Sequence, residues 1–386
     1  MIALKKFTAR SRVKFATSMA HFVNDVSTAL LPAVIVVLKD EFNLSYTAEG
    51  ALITSSVLLM TALQAVTGYV ADRRSRVTLL CLGLTTLGMG TTLIAFATDY
   101  IQLLVFAFLA GIGGSFFHPI GYSLLSDAFE SENRGKALGL GSASGDIAIP
   151  VAFATSGIVI LFIGWRPIFM FWGAIAIVAA VMLPLIMREP KKTDVHLNVA
   201  DNSTAKTLWT LIPVITVMGL TAACFRIAST FTTTYLKTLG LGIESANFVF
   251  ALMMCVGAVG SLFGGTLIEK LGEKKTVIAG MVMLGVLSIV SIYINNVYFT
   301  PFIIVIMGFF LLGVWPSFYS LIANATNLGA RAFTYGLTFA VAWSFGSFWP
   351  FLSGVCADIF GIQVIYILIG GLSLLGALTA YFTFKK

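Results

Sequence analysis

The feature that most constrains this chain is a series of long segments that contain no charged residue. Nine of them stand alone, at residues 50–71, 77–98, 100–126, 147–165, 167–187, 207–225, 245–268, 332–357 and 359–384. A helix needs about 20 apolar residues to cross the roughly 30 Å hydrocarbon core of a bilayer. Strands of a membrane barrel would alternate apolar and polar residues over about ten positions, and the sequence has no such alternation. Each segment therefore predicts one membrane-spanning helix.

Two further stretches bring the predicted number of spans to twelve. Residues 276–330 carry no charge over 55 positions, which is too long for one helix, and the turn signal at Asn295 and Asn296 divides them. Residues 15–38 are interrupted only by the ionisable His21 and Asp25. We therefore expect an all-α integral membrane protein with twelve transmembrane helices.

Composition excludes an ordinary soluble protein. Hydrophobic residues make up 58% of the chain and charged residues 11%, whereas soluble domains are about 25% charged. The first apolar segment is long and lacks a small-residue cleavage site, so we expect no cleaved signal peptide. Cys81, Cys224, Cys255 and Cys356 all fall inside predicted spans. Because their spacing fits no metal site, we expect four buried cysteines and no metal.

The basic residues predict the orientation in the membrane. If the N-terminus is cytoplasmic, 20 of the 24 lysines and arginines fall on the inner side. Only Lys39, Arg166 and Lys237 are then outside, and Arg226 lies within a span. Inner loops of membrane proteins carry such an excess of basic residues. We therefore expect a multi-pass protein of the cytoplasmic membrane with both termini in the cytoplasm. The net charge of +7 reflects this topology, and no nucleic acid partner is expected.

The longest polar stretch, residues 188–207, divides the predicted spans into six and six. We expect an N-terminal six-helix bundle at 1–187, a cytoplasmic linker at 188–207 and a C-terminal six-helix bundle at 208–386. The two halves also repeat each other at one constant offset in numbering. Matching positions include Gly68 and Gly265, Asp72 and Glu269, His118 and Trp315, Tyr122 and Tyr319, and Arg134 and Arg331. Two pseudo-symmetric bundles of this kind would enclose a site near the membrane midplane and rock about it.

The repeated loops carry a family signature, Gly-x-x-x-Asp-Arg/Lys-x-Gly-Arg/Lys. The first copy consists of Gly68, Asp72, Arg73 and Arg76, with Ser75 in place of the second glycine. The second copy consists of Gly265, Glu269, Lys270, Gly272 and Lys274. With these motifs the chain resembles the major facilitator superfamily over its whole length. The resemblance implies the major facilitator fold and a secondary transporter of small solutes.

Two short motifs narrow the resemblance. His21-Phe-Val-Asn-Asp25 in the first span and Phe117-His-Pro119 in the fourth are similar to the fosmidomycin-resistance group of efflux proteins. That group implies export of a phosphonate or another drug-like compound. Ile120 stands where the group leads us to expect an acidic residue soon after the His-Pro pair. The identity of the cargo is therefore left open.

Ionisable side chains inside the predicted spans are the candidates for proton coupling. Asp or Arg at the centre of a membrane helix costs about 2.5–3.5 kcal/mol on insertion scales, so such residues persist where they are paired, hydrated or used. His21 and Asp25 are four residues apart and share one helix face. We predict a proton-coupling group of Asp25, His21, His118 and Asp146. The alternative is a pair that only locks the first helix to a neighbour.

The same spans supply candidate substrate contacts. These are Asn24, His118, Arg226, Tyr122, Trp315 and Tyr319. Pro119 can kink the fourth span and re-aim His118. Arg226 could bind an anionic substrate through two hydrogen bonds, or it could neutralise Asp25 or Asp146. A purely structural ion pair remains the alternative.

The cytoplasmic loops predict a gate. Its members are Gly68, Asp72, Arg73, Arg76, Asp127, Arg134, Gly265, Glu269, Lys270 and Arg331. Asp72 would lie at the N-terminus of the helix that follows Arg331, where the helix dipole favours an anion, and Glu269 would lie near Arg134. Arg73 or Arg76 would pair with Asp127. For the arginines, plain topological charge is an equally simple explanation.

No catalytic motif, phosphate-binding glycine loop or metal-ligand cluster occurs in the sequence, so we expect neither an enzyme nor a cofactor. Energy would then come from an ion gradient. The leading hypothesis is a monomeric, proton-coupled antiporter that exports a small drug-like or anionic compound, with the substrate, protons and the bilayer as its partners. A proton symporter or facilitator that imports an organic anion is the first alternative. A non-transporting membrane receptor or scaffold is the second.

Overall fold

A computed structural model describes residues 8–129, 131–189, 202–326 and 331–384. Within these ranges the side chains of 131–136, 202–208, 331–333 and 335 lie outside the description. The described residues form fifteen helices. In chain order they are α1 Ala9–Glu41, α2 Tyr46–Ala71, α3 Arg76–Ile94, α4 Tyr100–Gly114, α5 Phe117–Ala128, α6 Ser131–Ile163, α7 Arg166–Ile186, α8 Asn202–Thr238, α9 Ile243–Leu271, α10 Glu273–Ile294, α11 Phe299–Gly313, α12 Trp315–Ala325, α13 Arg331–Ser347, α14 Trp349–Phe360 and α15 Val364–Thr383.

Twelve helical segments are long and apolar enough to cross a membrane. Three of them combine two consecutive helices: Tyr100–Ala128 contains α4 and α5, Phe299–Ala325 contains α11 and α12, and Gly336–Phe360 contains most of α13 and all of α14. The all-α architecture with twelve spans is therefore confirmed for the part of the chain that the structure describes.

Local sequence explains where several helices begin and end. Ser75 caps α3 by accepting a hydrogen bond from the Thr78 backbone N–H, and Asp99 caps α4 in the same way through Gln102. Gly272, at φ +78°, separates α9 from α10 in a conformation that favours glycine. Asn295 ends α10 in the left-handed region, where the turn signal placed the boundary.

The chain divides into two compact units. The first contains Met1–Val37 and Ser55–Asp194, and the second contains Leu38–Thr54 and Val195–Lys386. The end of α1 and the start of α2 therefore belong to the second unit. Each unit has its own apolar core, built around Leu80, Leu84 and Phe117 in the first unit and around Met281, Trp315 and Phe318 in the second.

The sequence repeat also appears in the helix packing. In the first unit a Cβ added to Gly111 on α4 would lie 2.5 Å from the Ser56 carbonyl oxygen on α2. In the second unit a Cβ added to Gly308 on α11 would lie 2.0 Å from the Met253 carbonyl oxygen on α9. Gly308 matches Gly111, and Met253 matches Ser56, at the same offset that relates Gly265 to Gly68. The two units therefore bring corresponding backbones close together in the same way.

One expectation about burial is wrong. Cys224 is buried, but Cys81 and Cys356 are half-buried and Cys255 is exposed. A membrane protein can present apolar side chains to hydrocarbon, so an apolar cysteine in a spanning helix need not lie in the protein core. Large apolar residues such as Leu262, Phe162 and Phe382 are likewise more than 70% exposed.

Candidate functional site

An ionisable pair on α1 forms the centre of a polar cluster in the first unit. His21 Nδ1 lies 2.7 Å from the carbonyl oxygen of Gly141 on α6. Because a carbonyl oxygen only accepts, His21 Nδ1 carries a proton and donates it. His21 Nε2 faces Asp25 Oδ2 at 3.2 Å. The two facing atoms therefore share one proton, which belongs either to the imidazole or to the carboxyl group.

The second carboxyl oxygen of Asp25 is also held. Asn24 Nδ2 donates to Asp25 Oδ1 at 2.9 Å. The side chain of His21 is only 4% exposed, whereas that of Asp25 is 20% exposed. The carboxyl group is therefore the part of the pair that a solute or a water molecule can reach.

His118 and Tyr122 on α5 bring two more polar side chains to this pair. The rings of His21 and His118 are perpendicular with centroids 5.3 Å apart, and the ring of Tyr122 stacks on His118 at 6.1 Å. The spanning segment breaks between α4 and α5, at 115–116, directly before α5 starts. Pro119 consequently lies in the first turn of α5, where a missing backbone N–H costs no hydrogen bond. The break before α5, rather than a kink at Pro119, sets the direction of His118.

Gly145 on α6 gives the pair the space that it occupies. A Cβ at Gly145 would lie 2.5 Å from His21 Nε2 and 2.6 Å from Asp25 Oδ2. Any side chain there would displace the imidazole or the carboxyl group. Asp146 follows on the same helix, is exposed and interacts electrostatically with both His21 and Asp25. The first unit thus brings together all four residues predicted for proton coupling.

The donor atoms of His21, Asp25 and His118 all lie within 4.8 Å of one another. This spacing would admit a small cation. The proton between His21 and Asp25 already satisfies both facing atoms, so we assign no metal to the cluster.

An aromatic cluster occupies the second unit. Trp315 on α12 stacks on Trp343 on α13 with ring centroids 5.3 Å apart, and Tyr319 stacks on Phe339 at 5.5 Å. The guanidinium carbon of Arg226 on α8 lies 5.0 Å from the centroid of Trp343, a cation–π distance. Three of the predicted substrate contacts, Arg226, Trp315 and Tyr319, therefore lie in or beside one cluster. The expected pairing of Arg226 with Asp25 or Asp146 stays a prediction.

Two adjoining cavities lie near the start of α1 in the first unit. Their volumes are about 570 Å³ and 380 Å³. Lys14 of α1 and Leu140 and Ala143 of α6 line both of them, and Arg10 lines the larger. These are the two helices that carry His21, Asp25 and Gly145.

In the predicted gate, Arg76 is the arginine that pairs with Asp127. Its Nη1 donates to Asp127 Oδ2 at 2.6 Å, and its Nε donates to Glu189 Oε1 at 3.2 Å. Partial burial alone would raise the pKa of Glu189, but hydrogen bonds from Ser75 and Arg76 hold that pKa below its usual range. Arg73 instead donates to the Tyr69 carbonyl oxygen and lies over the Tyr69 ring.

The other gate residues with described side chains lie mainly at the surface. Asp72, Glu269 and Lys270 are exposed. Gly68 approaches Pro119, and Gly265 has open space around it. The expected partners Arg331 and Arg134 have side chains outside the described residues, so those contacts stay predictions.

A sequence profile of the Major Facilitator Superfamily matches residues 17–349 and, in a second match, residues 214–386. This chain belongs to the major facilitator superfamily. Among its relatives, the fosmidomycin resistance protein of Escherichia coli K12 is 26% identical over 97% of this chain and 94% of the relative. The multidrug resistance protein MdtG of Yersinia enterocolitica is 24% identical over 96% of this chain and 93% of the relative.

Solved structures agree on the fold of this major facilitator protein. A bacterial homologue of the human lysosomal transporter Spinster, in an inward-facing and occupied conformation, superposes with a TM-score of 0.83 at 18% identity, over 98% of this chain and 97% of that one. A D-xylose–proton symporter superposes with a TM-score of 0.77 at 14% identity, over 97% of this chain and 98% of that one. At these identities the likeness concerns the fold alone. The protein is a multi-pass membrane transporter of small solutes and not an enzyme.

The structure also draws attention to residues that the sequence patterns passed over. Phe339 completes the aromatic cluster. Glu273 accepts hydrogen bonds from Ser320 and Asn324 at the start of α10. Glu49 is completely buried, although it lies one residue outside a charge-free window. The signal for Glu273 was available, because the sequence repeat matches it to Arg76.

Proposed function

We propose that this transporter is a proton-coupled antiporter that exports a small drug-like or anionic compound. The observation that supports this most strongly is the contact of His21 Nε2 with Asp25 Oδ2 at 3.2 Å, beside His118, in a ring whose Nδ1 faces the Gly141 carbonyl oxygen. From this geometry we infer one proton shared by His21 and Asp25. A shared proton at a partly exposed carboxyl group can be displaced by a solute. The names of two relatives, a fosmidomycin resistance protein and a multidrug resistance protein, are consistent with export.

The exchange follows from what can bind to the Asp25 carboxylate. In the loaded state a hydrogen-bond donor of the cargo takes the place of the shared proton, and the proton leaves. In the empty state a proton returns and again satisfies His21 Nε2 and Asp25 Oδ2. Proton and cargo therefore compete for one carboxyl group, which is the requirement for antiport.

Arg226 is our proposed anion-binding group. Its guanidinium lies over Trp343 and can present hydrogen-bond donors to a carboxylate or phosphonate. Lys14 and Arg10, beside the cavities at the start of α1, would attract the same anions from the membrane face at which the helix begins. We propose that this face is cytoplasmic, as the distribution of basic residues predicts.

The first experiment identifies a cargo and its pH dependence. Purified protein is screened by thermal shift against phosphonates including fosmidomycin, carboxylates, sugars and lipophilic drugs, at mildly acidic and mildly alkaline pH. A ligand that binds the folded protein raises its apparent stability. Because cargo and proton compete in our proposal, a true cargo should give the larger shift at the alkaline pH.

The second experiment gives the direction of coupling. The best ligand is supplied to proteoliposomes with an imposed pH gradient. An antiporter accumulates ligand in vesicles with an acidic lumen, since protons leave as the ligand enters. Accumulation in vesicles with an alkaline lumen would instead establish a symporter and reject our proposal.

A further inference from the structure

The 38–54 segment, made of the end of α1, the start of α2 and the loop between them, is bound to other helices of the second unit. The carboxylate of Asp358 on α14 accepts hydrogen bonds from the backbone N–H groups of Tyr46 and Thr47, each at 2.8 Å. The Phe351 backbone N–H donates to Thr54 Oγ1 at 3.1 Å. The first turn of α2 is thus capped by a side chain from a helix near the other end of the chain.

Close backbone contact accompanies these hydrogen bonds. A Cβ at Gly50 would lie 2.1 Å from the Pro350 carbonyl oxygen, and a Cβ at Gly354 would lie 2.2 Å from the Tyr46 carbonyl oxygen. Neither position accepts a side chain without a shift of the backbone. The 38–54 segment therefore has one well-defined position against α14, and we call the segment seated when it occupies that position.

Glu49, beside Gly50 in this segment, is buried with an incomplete set of hydrogen bonds. Its side chain is 0% exposed. Its Oε1 accepts a hydrogen bond from Thr234 Oγ1 on α8 at 2.6 Å. Its Oε2 is buried and has no hydrogen-bond partner among the described residues. A buried ionised carboxylate is costly unless it is paired and fully hydrogen-bonded.

Lys39 does not supply the missing hydrogen bond. Its Nζ lies 3.8 Å from Glu49 Oε2, which is beyond hydrogen-bond distance. The same ammonium donates to the Leu44 carbonyl oxygen at 2.7 Å and lies 3.7 Å from the centroid of the Tyr46 ring. Its contacts are therefore mainly within its own segment, and it only partly offsets a charge on Glu49.

The remaining charged groups nearby are engaged elsewhere. Lys237 on α8 pairs with Asp40 of α1, and Asp358 caps α2. Asp40 and Asp358 are like charges that disfavour an ionised Glu49, and the Tyr46 hydroxyl interacts electrostatically with it. The segment also contains Glu41, which is exposed. The groups that interact with Glu49 from α1, α2, α8 and α14 are therefore Lys39, Asp40, Tyr46, Thr234 and Asp358.

We propose that Glu49 is a second proton-binding site of this transporter, and that its protonation holds the 38–54 segment on α8 and α14. A neutral carboxylic acid keeps the hydrogen bond from Thr234 without a buried charge. Ionisation leaves a charge with one hydrogen bond and a lysine 3.8 Å away, so it favours release of the segment into water. Proton uptake therefore stabilises the seated segment.

The Glu49 site extends the proposed function. It rests on that proposal in one respect, which is the use of protons in transport. Glu49 lies near the C-terminal end of α1, whereas His21 and Asp25 lie closer to the middle of that helix. The 38–54 segment ends α1 and begins α2, so its release would change the ends of two membrane-spanning helices. A proton that binds to Glu49 would favour the bound form of this segment, which suits a transporter that exchanges cargo for a proton.

The test measures seating directly and needs no cargo. Spin labels are placed at Asn43→Cys and Ser245→Cys in the full chain, in which the four native cysteines are replaced by serine. The distribution of distances between the two labels is then recorded from acidic to alkaline pH. Release of one proton changes the ratio of seated to released protein by up to about tenfold per pH unit. The seated fraction should fall as pH rises. With Glu49→Gln, which mimics the neutral acid, the segment should stay seated at every pH.

Thr234→Val is the matched control. It removes the hydrogen bond but keeps the carboxyl group, so the seated fraction should be lower while its dependence on pH remains. If Lys39 and Glu49 formed a fixed ion pair, Glu49→Gln would loosen the segment at every pH. That result, or a wild-type distribution that does not change with pH, would overturn the proposal.

The same labels separate this site from the proposed function. Asp25→Asn should lose proton-driven transport and still show the pH-dependent seating. If instead transport proves independent of protons while seating follows pH, the proposed antiport fails and the Glu49 site stands.

Discussion

The two units place polar side chains at the same positions of the repeat, but the residue at one of these positions is basic in the first unit and acidic in the second. In the first unit Arg76, at the start of α3, donates to Ser123 at 3.4 Å and to Asp127 at 2.6 Å. In the second unit Glu273, at the start of α10, accepts from Ser320 at 2.6 Å and from Asn324 at 3.1 Å. Each of these three residues occupies the position that the repeat assigns to its counterpart in the first unit. The repeat therefore preserves a contact between two helices while exchanging the chemistry that makes it.

Deeper in the helices the two units differ more strongly. The positions that match His21 and Asp25 are Met218 and Ala222, and the position that matches His118 is Trp315. The first unit thus has a titratable cluster where the second has apolar and aromatic side chains. The close backbone contacts are thus preserved in both copies of the repeat, whereas the cluster of His21, Asp25 and His118 is not.

The largest effect should appear at His118 and Trp315, which occupy matching positions of the repeat. His118→Asn removes a titratable ring beside Asp25, and we expect proton-driven accumulation of the cargo to fall at least tenfold, the equivalent of one charge-assisted interaction of about 1.5 kcal/mol or more. Trp315→Phe keeps an aromatic ring and should change the apparent KM only a few-fold. Equal losses in the two variants, measured in proteoliposomes, would remove the functional contrast between the units.

The charge-inverted contacts should differ in stability. Arg76→Gln leaves Asp127 and Glu189 without their cation, and we expect a loss of about 3 kcal/mol, at the low end for breaking a buried ion pair because both acids are partly exposed. Glu273→Gln keeps an amide oxygen for Ser320 and Asn324, so its loss should stay within about 0.5 kcal/mol. Thermal unfolding in detergent compares them. A larger loss for Glu273→Gln would contradict our account of this contact.

The shared packing should respond equally in both units. Gly111→Ala and Gly308→Ala each place a methyl group against a backbone carbonyl oxygen, and overpacking of this kind costs about 1–3 kcal/mol. We expect similar decreases in unfolding temperature for the two variants. Gly265→Ala, which has open space around it, is the control and should unfold like the wild type. If only one of Gly111→Ala and Gly308→Ala lowered the unfolding temperature, the packing of the two units would not follow the repeat.

The smallest effect concerns pH. The pKa of Glu189 is lowered in the folded protein, so its contribution to stability is present above the unfolded pKa of about 4.3 and is lost as pH falls through the folded value. Glu189→Gln should therefore destabilise by about 0.5–1 kcal/mol at neutral pH, and its difference from the wild type should shrink below about pH 4.

The second unit supplies the control for this pH effect. Lys274 Nζ donates to the Phe384 carbonyl oxygen at 2.6 Å, so it ties the start of α10 to the end of the last helix without a carboxylate. The effect of Lys274→Gln should be the same at neutral and at acidic pH. A pH-independent effect of Glu189→Gln would show that the ion pair with Arg76 does not contribute as described.

The helices and the repeat could be predicted because a hydrocarbon environment allows few backbone conformations. A charge-free stretch of about 20 residues has one stable conformation in a bilayer, since only a helix pairs all of its backbone groups within the segment. The constant offset between the halves is visible in short motifs. The grouping of His21 with Asp25 followed from helical spacing alone. Their partner Gly141 did not, because it lies on another helix, far along the chain.

What the sequence could not provide is which side chains are buried against which helix. Glu49 has the same local pattern as an exposed residue in a first helical turn, and only its packing against Thr234 distinguishes it. The sequence also did not indicate that Gly145 makes room for the ionisable pair, which only its neighbours in the structure show. Likewise, nothing in the loop motif separates Arg73 from Arg76, since the choice depends on the position of Asp127.

The central claim is that the proton shared by His21 and Asp25 is the one exchanged for cargo. Asp25→Asn tests it most directly, because the amide keeps the shape of the side chain but cannot release a proton. In vesicles with an acidic lumen, the wild type should accumulate the ligand found by thermal shift, whereas Asp25→Asn should bind that ligand and bring it only to equal concentrations on the two sides. Full accumulation against the gradient by Asp25→Asn would contradict the account.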